Sequence, residues 1–451
     1  MRKSRKQEHA DDRGRVTAWL DSRVNFERVP PAGRATDTFG LARMRQLLAA
    51  VGNPHRRLRV VHVAGTKGKG STVAMLAAVL EEAGHRVGRY MSPHVHMLEE
   101  RIAVDGRPIS SPDLVAAFDR VIPAVAALDR QAARRGRRGP TWFEVMTAAA
   151  FVHFARARVE IAVLETGLGG RLDATNVVDP LLSVITSISL DHMAVLGPTI
   201  GRIAGEKAGI IKRRRPVISA ATHPAARRVI AATAARRESP LWQFGRDIRV
   251  AYEQTAGDPL AGGRVEVVVR PRGRGAPLAE GRYDLGMPGR HQAENAAAVV
   301  AAAVRLAELG IEVPPEAVAR GLARVRLPAR IETIGERPLV IVDAAHNVAS
   351  MRSLLETVAA RFAGRSRRVL VFAASGDKQV EKMLALAAGR VDEVIVTRYA
   401  SNRRAAPVDR LLAAARAAGL PATAIEPPRA ALRAACSRAT RSGGVLVAGS
   451  F

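Results

Sequence analysis

The sequence predicts an α/β chain in two parts, each built on a largely parallel sheet. Three observations carry this. From residue 58 to about 300, short apolar runs alternate with alanine-rich helical stretches, the rhythm of strand–helix–strand units whose sheet is covered on both faces. The first apolar run ends in a glycine-rich turn that passes straight into a helical pattern. After Leu327-Pro328 a second alternation begins. At 451 residues the chain exceeds one ordinary core, so a boundary near residue 325 is expected, dividing 16–325 from 326–451.

Taken in order, residues 1–15 (MRKSRKQEHADDRGR) read as a disordered basic tail, and a helix begins at Val16–Leu20. Leu58 to Ala64 reads as a buried strand and Thr72 to Ala83 as a helix rich in Ala, Leu and Val. Further strand-like runs are Ile161 to Leu164, Leu182 to Ile188 and Pro216 to Ser219. Residues 245–285 differ, because alternation at Val265 to Val269 beside a Gly/Pro/Arg turn cluster indicates a small antiparallel excursion. In the second part the strands are Leu339 to Val342, Arg368 to Phe372, Glu393 to Val396 and Gly444 to Ala448. No fixed-period repeat is present.

Composition narrows the function classes. No apolar run approaches the ~18 to 20 residues that span a bilayer, and the N-terminus lacks the apolar segment of a signal peptide, so a cytoplasmic protein with no membrane partner is expected. A single cysteine, Cys436, excludes an internal disulfide framework and any multi-cysteine zinc site. The formal charge of +28 invites a nucleic-acid reading, yet the excess is mostly dispersed arginine and only 4% of residues are aromatic. With few stacking platforms and no reader module, no nucleic-acid partner is expected; anionic substrates suit the charge better.

The chemical signals begin at VHVAGTKGKGST, residues 61–72. It fails the common phosphate-loop pattern, since Gly65 and Gly68 are too close and Gly70 separates Lys69 from Ser71. Its physics is nonetheless that of a phosphate loop. Glycines at a strand-to-helix turn let backbone N–H groups approach an anion at the positive helix end, Lys69 supplies charge, and Ser71 or Thr72 offers a hydroxyl. Glu165 closes the apolar run IAVLE, where an acid at the carboxyl edge of a parallel sheet can hold Mg²⁺ against phosphates. The run 182–188 delivers Asp191 and His192 to the same edge, on a strand expected to neighbour that of Glu165. In the second part IVDAAHN places Asp343, His346 and Asn347 just past a strand, and Arg330 in LPARIE is a possible phosphate clamp.

Together these segments resemble the folylpolyglutamate synthase and dihydrofolate synthase family, within the Mur ligase group of ATP-dependent amide-forming enzymes. The resemblance rests on HVAGTKGKGST, YMSPHV, ERIAVDGRPIS, TWFEVMTAAAF, VLETGLGGRLDATNVV, SISLDHMAVLGPTIGRIAGEKAGIIK, HQAEN, LPARIE and VDAAHN, in family order from about residue 15 onward. It implies a P-loop parallel-sheet ATP-binding domain plus a smaller C-terminal Rossmann-like α/β domain. It also implies roles. Gly68, Lys69, Gly70 and Ser71 match the ATP loop, and Asn295, Arg330 and Asp343 match positions contacting adenine, phosphate and ribose. Ser92, Glu165 and His192 match Mg²⁺ ligands, and Lys207 matches a lysine that is carbamylated in the family and binds a second Mg²⁺. Catalytic roles fall on Lys69, His192 and Lys207. Thr141, Trp142, Phe143 and Glu144, with Leu172, Asp173 and Ala174, match pteroate-contacting segments; His346 and Ser450 are candidates for the incoming glutamate. Ala329 stands where the family usually has glycine.

The implied reaction joins L-glutamate to dihydropteroate, to (poly)glutamylated tetrahydrofolate, or to both, with ATP and Mg²⁺, in a monomer. Polyglutamylation alone, or another Mur-type amide ligation, is the alternative. A nucleic-acid-stimulated ATPase is the alternative from a different class.

Overall fold

The computed structural model describes residues 5–29, 39–255, 260–271, 279–399 and 404–449. Ser450 and the Gly/Pro/Arg cluster at 272–278 lie outside the described residues. Contacts divide the chain into two compact units. One is Met1–Arg249 with Val267–Gly281 and Asn295–Leu322; the other is Val250–Glu266 with Arg282–Glu294 and Ala323–Phe451.

The first unit is organised by an eight-stranded sheet. Its strands are β1 (Arg59–Ala64), β2 (Val87–Tyr90), β3 (Ile102–Val104), β4 (Arg107–Pro108), β5 (Ile161–Glu165), β6 (Leu182–Ile185), β7 (Val217–Ser219) and β8 (Leu241–Gln243). Their spatial order is β4-β3-β2-β5-β1-β6-β7-β8. From β2 to β8 every pairing is parallel, while β3 and β4 extend one edge antiparallel. The central strands are apolar throughout because both faces are covered, which is why they read as continuous hydrophobic runs. The helix Lys69–Glu82 is buried from Ser71 to Leu80, in keeping with a sequence that is apolar all round.

Two expectations are corrected here. The charged N-terminus is not a disordered tail up to residue 15: a helix runs Arg5–Asp21, and Arg13 reaches Glu99, with its Nε 2.5 Å from Oε1. Nor do the strands carrying Glu165 and His192 neighbour one another. β1 lies between β5 and β6, with Val63 opposite Glu165 on one side and Ala64 opposite Ile185 on the other.

In the second unit a six-stranded sheet has the order β12-β13-β17-β14-β15-β16, made of Glu332–Glu336, Leu339–Asp343, Gly444–Gly449, Arg368–Ala373, Glu393–Val396 and Ala422–Ala424. All its pairings are parallel except β12 with β13. Its main core gathers Leu339, Ile341, Leu354, Phe372, Val394 and Leu446. Between the two large sheets in sequence, β9 (Ile248–Gln254), β10 (Gly263–Val269) and β11 (Ala279–Asp284) form a separate three-stranded sheet.

The turn ahead of β12 is under backbone strain. Ala329 has φ 50° and Ile331 φ 54°, a region where a Cβ crowds the following carbonyl. Carboxylates hold the turn in place: Ala329 N donates to Glu332 at 2.7 Å and Ile331 N to Asp343 at 2.9 Å. Relief of about 1 to 2 kcal/mol of strain, set against about 0.4 to 1 kcal/mol of added unfolded-chain entropy, makes Ala329→Gly stabilising by roughly 0.5 kcal/mol. A rise in the urea midpoint at constant slope checks this.

Candidate active site

The site is assembled at the carboxyl edge of the first unit's sheet, where consecutive strand order sets the order of its parts. Across β2, β5, β1 and β6 the edge presents Ser92, Glu165, the 65–71 turn and His192. Such an edge is where open parallel sheets bind ligands.

Gly65 and Gly68 are demanded by close approach. A Cβ on Gly65 would lie 1.7 Å from Thr186 Oγ1, and one on Gly68, whose φ is +84°, would lie 2.1 Å from Asn295 Oδ1. Asn295, on the helix Arg290–Glu308, therefore stands directly against the turn. The turn is pinned to the segment after β6: Thr66 N donates to Ser187 O at 2.8 Å, and Thr186 Oγ1 donates to Lys67 O at 2.7 Å. Gly68 caps the helix Lys69–Glu82 with no side-chain cap, which leaves the helix end to backbone donors.

Around this turn lie two lysine–carboxylate pairs. Lys69 Nζ stands 3.7 Å from Glu165 Oε1, and Lys67 Nζ stands 3.3 Å from Asp191 Oδ2. Both carboxylates are buried beside these cations. Glu165 Oε2 also accepts from Ser92 N at 3.1 Å, tying the strand-end acid to the SPH segment. A Cβ on Gly70 would lie 3.5 Å from the same oxygen, so the helix's first turn and the carboxylate are in contact range. His192 sits at φ 49°, its N donating to Asp191 Oδ1 at 2.9 Å and its ring Nε2 3.9 Å from that atom.

Lys207 is buried in the helix Ile200–Ala208, with Nζ donating 2.6 Å to Gly65 O. Burial lowers its pKa to about 7, helped by the charges of Lys69 and Lys67 and opposed by Asp191 and Asp173. The TGLGGRLDATN loop packs on this helix, where a Cβ on Gly170 would lie 3.0 Å from Lys207 O.

The pteroate-matched residues divide by environment. Thr141 and Glu144 form a reciprocal cap at the start of Trp142–Arg156, and Glu144 also receives Arg43 Nε at 3.2 Å. Trp142 is buried beneath the Arg101 guanidinium, 4.6 Å from ring to cation. Phe143 is half-buried over Gly167, where a Cβ would meet its ring at 2.6 Å. Asp173 is a buried staple, accepting from the Gly167, Leu168 and Thr175 N–H groups; burial raises its pKa and those bonds oppose the rise. Ala174 is buried and Leu172 half-buried.

The sequence reading missed Arg101. It is 1% exposed, pairs doubly with Glu27 at 2.9 and 2.5 Å, and donates 2.8 Å to His94 of the SPH segment. One guanidinium thus ties the Ser92 loop to the Trp142–Phe143 helix start.

In the second unit Arg330 lies between the two strained residues, its Nη1 donating 3.1 Å to Ala329 O. Asp343 ends β13 and accepts from Ile331 N, so the proposed ribose contact also braces the turn. His346 Nδ1 is 2.8 Å from Ala344 O, and Asn347 caps the helix Val348–Ala363.

Among the described residues no three His, Cys, Asp or Glu side chains cluster as a metal site. A divalent cation at Glu165 must therefore complete its shell with hydroxyl, phosphate and water oxygens, which is how Mg²⁺ is ordinarily held. The buried carboxylate beside a phosphate-type turn fits that donor set. No described helix is long and apolar enough to cross a membrane.

Known proteins resemble this chain over most of its length. The Mur ligase middle domain matches residues 125–303 and the Mur ligase glutamate ligase domain matches residues 329–451. The dihydrofolate synthase/folylpolyglutamate synthase of Bacillus subtilis is 41% identical over 374 residues, covering 81% of this chain and 80% of its own. The folylpolyglutamate synthase of Mycobacterium tuberculosis, solved with ADP and AMPPCP, superimposes with a TM-score of 0.85 at 34% identity, covering 98% of this chain and 96% of that one. Escherichia coli FolC, solved with DHPP and ADP, gives a TM-score of 0.77 at 31% identity over 97% and 95% of the two chains. The chain belongs to the dihydrofolate synthase/folylpolyglutamate synthase family of Mur ligases, and is an ATP-dependent acid–amino-acid ligase.

Proposed function

We propose that this protein joins L-glutamate to dihydropteroate and to reduced folates, through a carboxylate phosphorylated by ATP. The observation that carries the reading is the juxtaposition at one sheet edge of the 65–71 turn, Lys69 and the buried Glu165. Phosphoryl transfer needs positioning and charge neutralisation more than covalent chemistry, and these groups supply both. Lys69 balances Glu165 and is placed to turn to phosphate oxygens instead. Mg²⁺, held by Glu165, Ser92 and His192, would neutralise charge on the transferring group when bound. Asn295, Arg330 and Asp343 are assigned to adenine, phosphate and ribose; Phe143 and the Leu172–Ala174 backbone are assigned to the pteroate. Thr141, Trp142 and Glu144 then act by holding Phe143 in place. His346 is assigned to glutamate, whose α-amine must lose its proton before it attacks the acyl carbon.

Lys207 is assigned to carbamylation. An amine with a pKa near 7 is substantially neutral at physiological pH, so its lone pair can add to CO₂, releasing one proton and leaving N–H plus a carboxylate. The remaining N–H can keep the Gly65 contact. Because the pKa is lowered, the neutral amine predominates only above about pH 7. Turnover should therefore fall as pH drops below that value, and rigorous CO₂ removal should reduce the rate with recovery on adding bicarbonate. Indifference to CO₂ would exclude the modification.

ADP release measured with dihydropteroate, tetrahydrofolate and glutamate supplied or withheld in turn tests the reaction. Release that requires glutamate and either pterin is expected. Activity with tetrahydrofolate alone restricts the enzyme to polyglutamylation, and pterin-independent release overturns the proposal.

A further inference from the structure

A cavity of about 720 Å³ opens at the opposite edge of the eight-stranded sheet, lined among others by Arg45, His55, Arg56, Leu58, Asp179 and Arg215. Its walls come from the helix Leu41–Ala50, the turn Pro54–Arg57, the residue entering β1, and segments leading into β6 and β7. β1 separates it from the phosphate turn by six residues, or about 20 Å at ~3.3 Å per residue, so it is no part of the site described above.

Its charge is lopsided. Three guanidinium groups face one lining carboxylate, Asp179, which is already taken by Arg215 at 2.5 and 3.3 Å. The side chains of Arg45 and Arg56 make no hydrogen bond or ion pair among the described residues. Lysine and arginine exceed aspartate and glutamate by 28 (70 − 42), so some cations must go unpaired. Here two of them border one hollow, where an anion carrying more than one charge would be attracted to both. The field reaches past the lining: half-buried Lys212 is lowered by burial, and Arg45 adds to that against the pull of Asp179. Burial and the neighbouring Arg56 charge lower the pKa of His55 to about 4, and its Nδ1 is buried with no hydrogen-bond partner among the described residues.

We propose that this cavity binds a small anion carrying two or more negative charges, with Arg45 and Arg56 as its charged donors and His55 as a further hydrogen-bonding group. Cations placed on separate elements suit separated phosphoryl or carboxylate groups better than a monovalent ion.

Calorimetric titration of the full chain, with the nucleotide site saturated by ADP, tests this using inorganic tripolyphosphate and citrate as probes. The wild-type protein should bind at least one probe, and binding should weaken with added salt. Losing two charge-assisted contacts in Arg45→Ala/Arg56→Ala should weaken it by at least about tenfold. Preference for tripolyphosphate points to phosphate esters and preference for citrate to polycarboxylates; either supports the site. Both arginines are exposed, so the double variant should keep the wild-type melting temperature. No binding of either probe by wild type, or equal affinity in the double variant, overturns the proposal.

Discussion

Replacing Lys69 with alanine should lower glutamate-dependent ADP release by at least about a hundredfold, the scale on which enzymes lose a preorganised charge aimed at a transition state. The fold should survive. Lys69 stands at the first position of its helix, where alanine is an excellent helix former, and its Glu165 contact is long at 3.7 Å. The expected pattern is a large fall in kcat with a melting temperature within a few degrees of wild type. Equal loss of stability and activity would instead make Lys69 the counter-charge of Glu165 and nothing more. Near-normal ADP release from the variant would remove the 65–71 turn from the chemistry.

Arg101→Ala should destabilise the first unit by about 3 to 5 kcal/mol, the cost of breaking a buried ion pair from one side. The variant leaves His94 without its donor, removes the cation above Trp142, and opens a void where a fully buried side chain had been. Glu27 is partly exposed and can recover water, which places the effect toward the lower end. Chemical denaturation measures the loss. Because Arg101 links the Ser92 loop to the start of the Phe143 helix, residual enzyme should show a raised KM for the pterin with KM for ATP little changed. A purely structural role would lower the amount of folded enzyme and leave both constants alone.

The strand–turn–helix at residues 59–82 was legible in the sequence because its signals are local: apolar run, glycines, lysine and hydroxyls follow one another within a dozen residues. Glu165 was legible for the same reason, as an acid ending an apolar run. What stayed hidden was set by tertiary placement. Strand order does not follow chain order, so nothing local shows that β1 separates β5 from β6. Lys207 is singled out by the family resemblance alone, and its burial and its contact with Gly65 O are set by tertiary placement. In the N-terminal helix the missed signal was pairing across 86 residues, Arg13 with Glu99, which no local charge count reveals. Thr141-Trp142-Phe143-Glu144 did carry a readable sign: threonine followed three residues later by glutamate is a helix cap, and that is what these two residues form. Ala329, by contrast, stands where the resemblance leads one to expect glycine, and its positive φ is a conformation that glycine adopts freely.

The most direct test of the account is an oxygen-transfer measurement. Substrate whose carboxylate carries heavy oxygen is turned over with ATP and glutamate, and the released phosphate is analysed by mass spectrometry. If the carboxylate attacks the γ-phosphoryl group and the amine then expels phosphate, a carboxylate oxygen must leave in that phosphate, so each turnover should deliver one label to it. Amide product formed alongside phosphate that carries only the natural isotope would contradict activation of the acid by phosphoryl transfer.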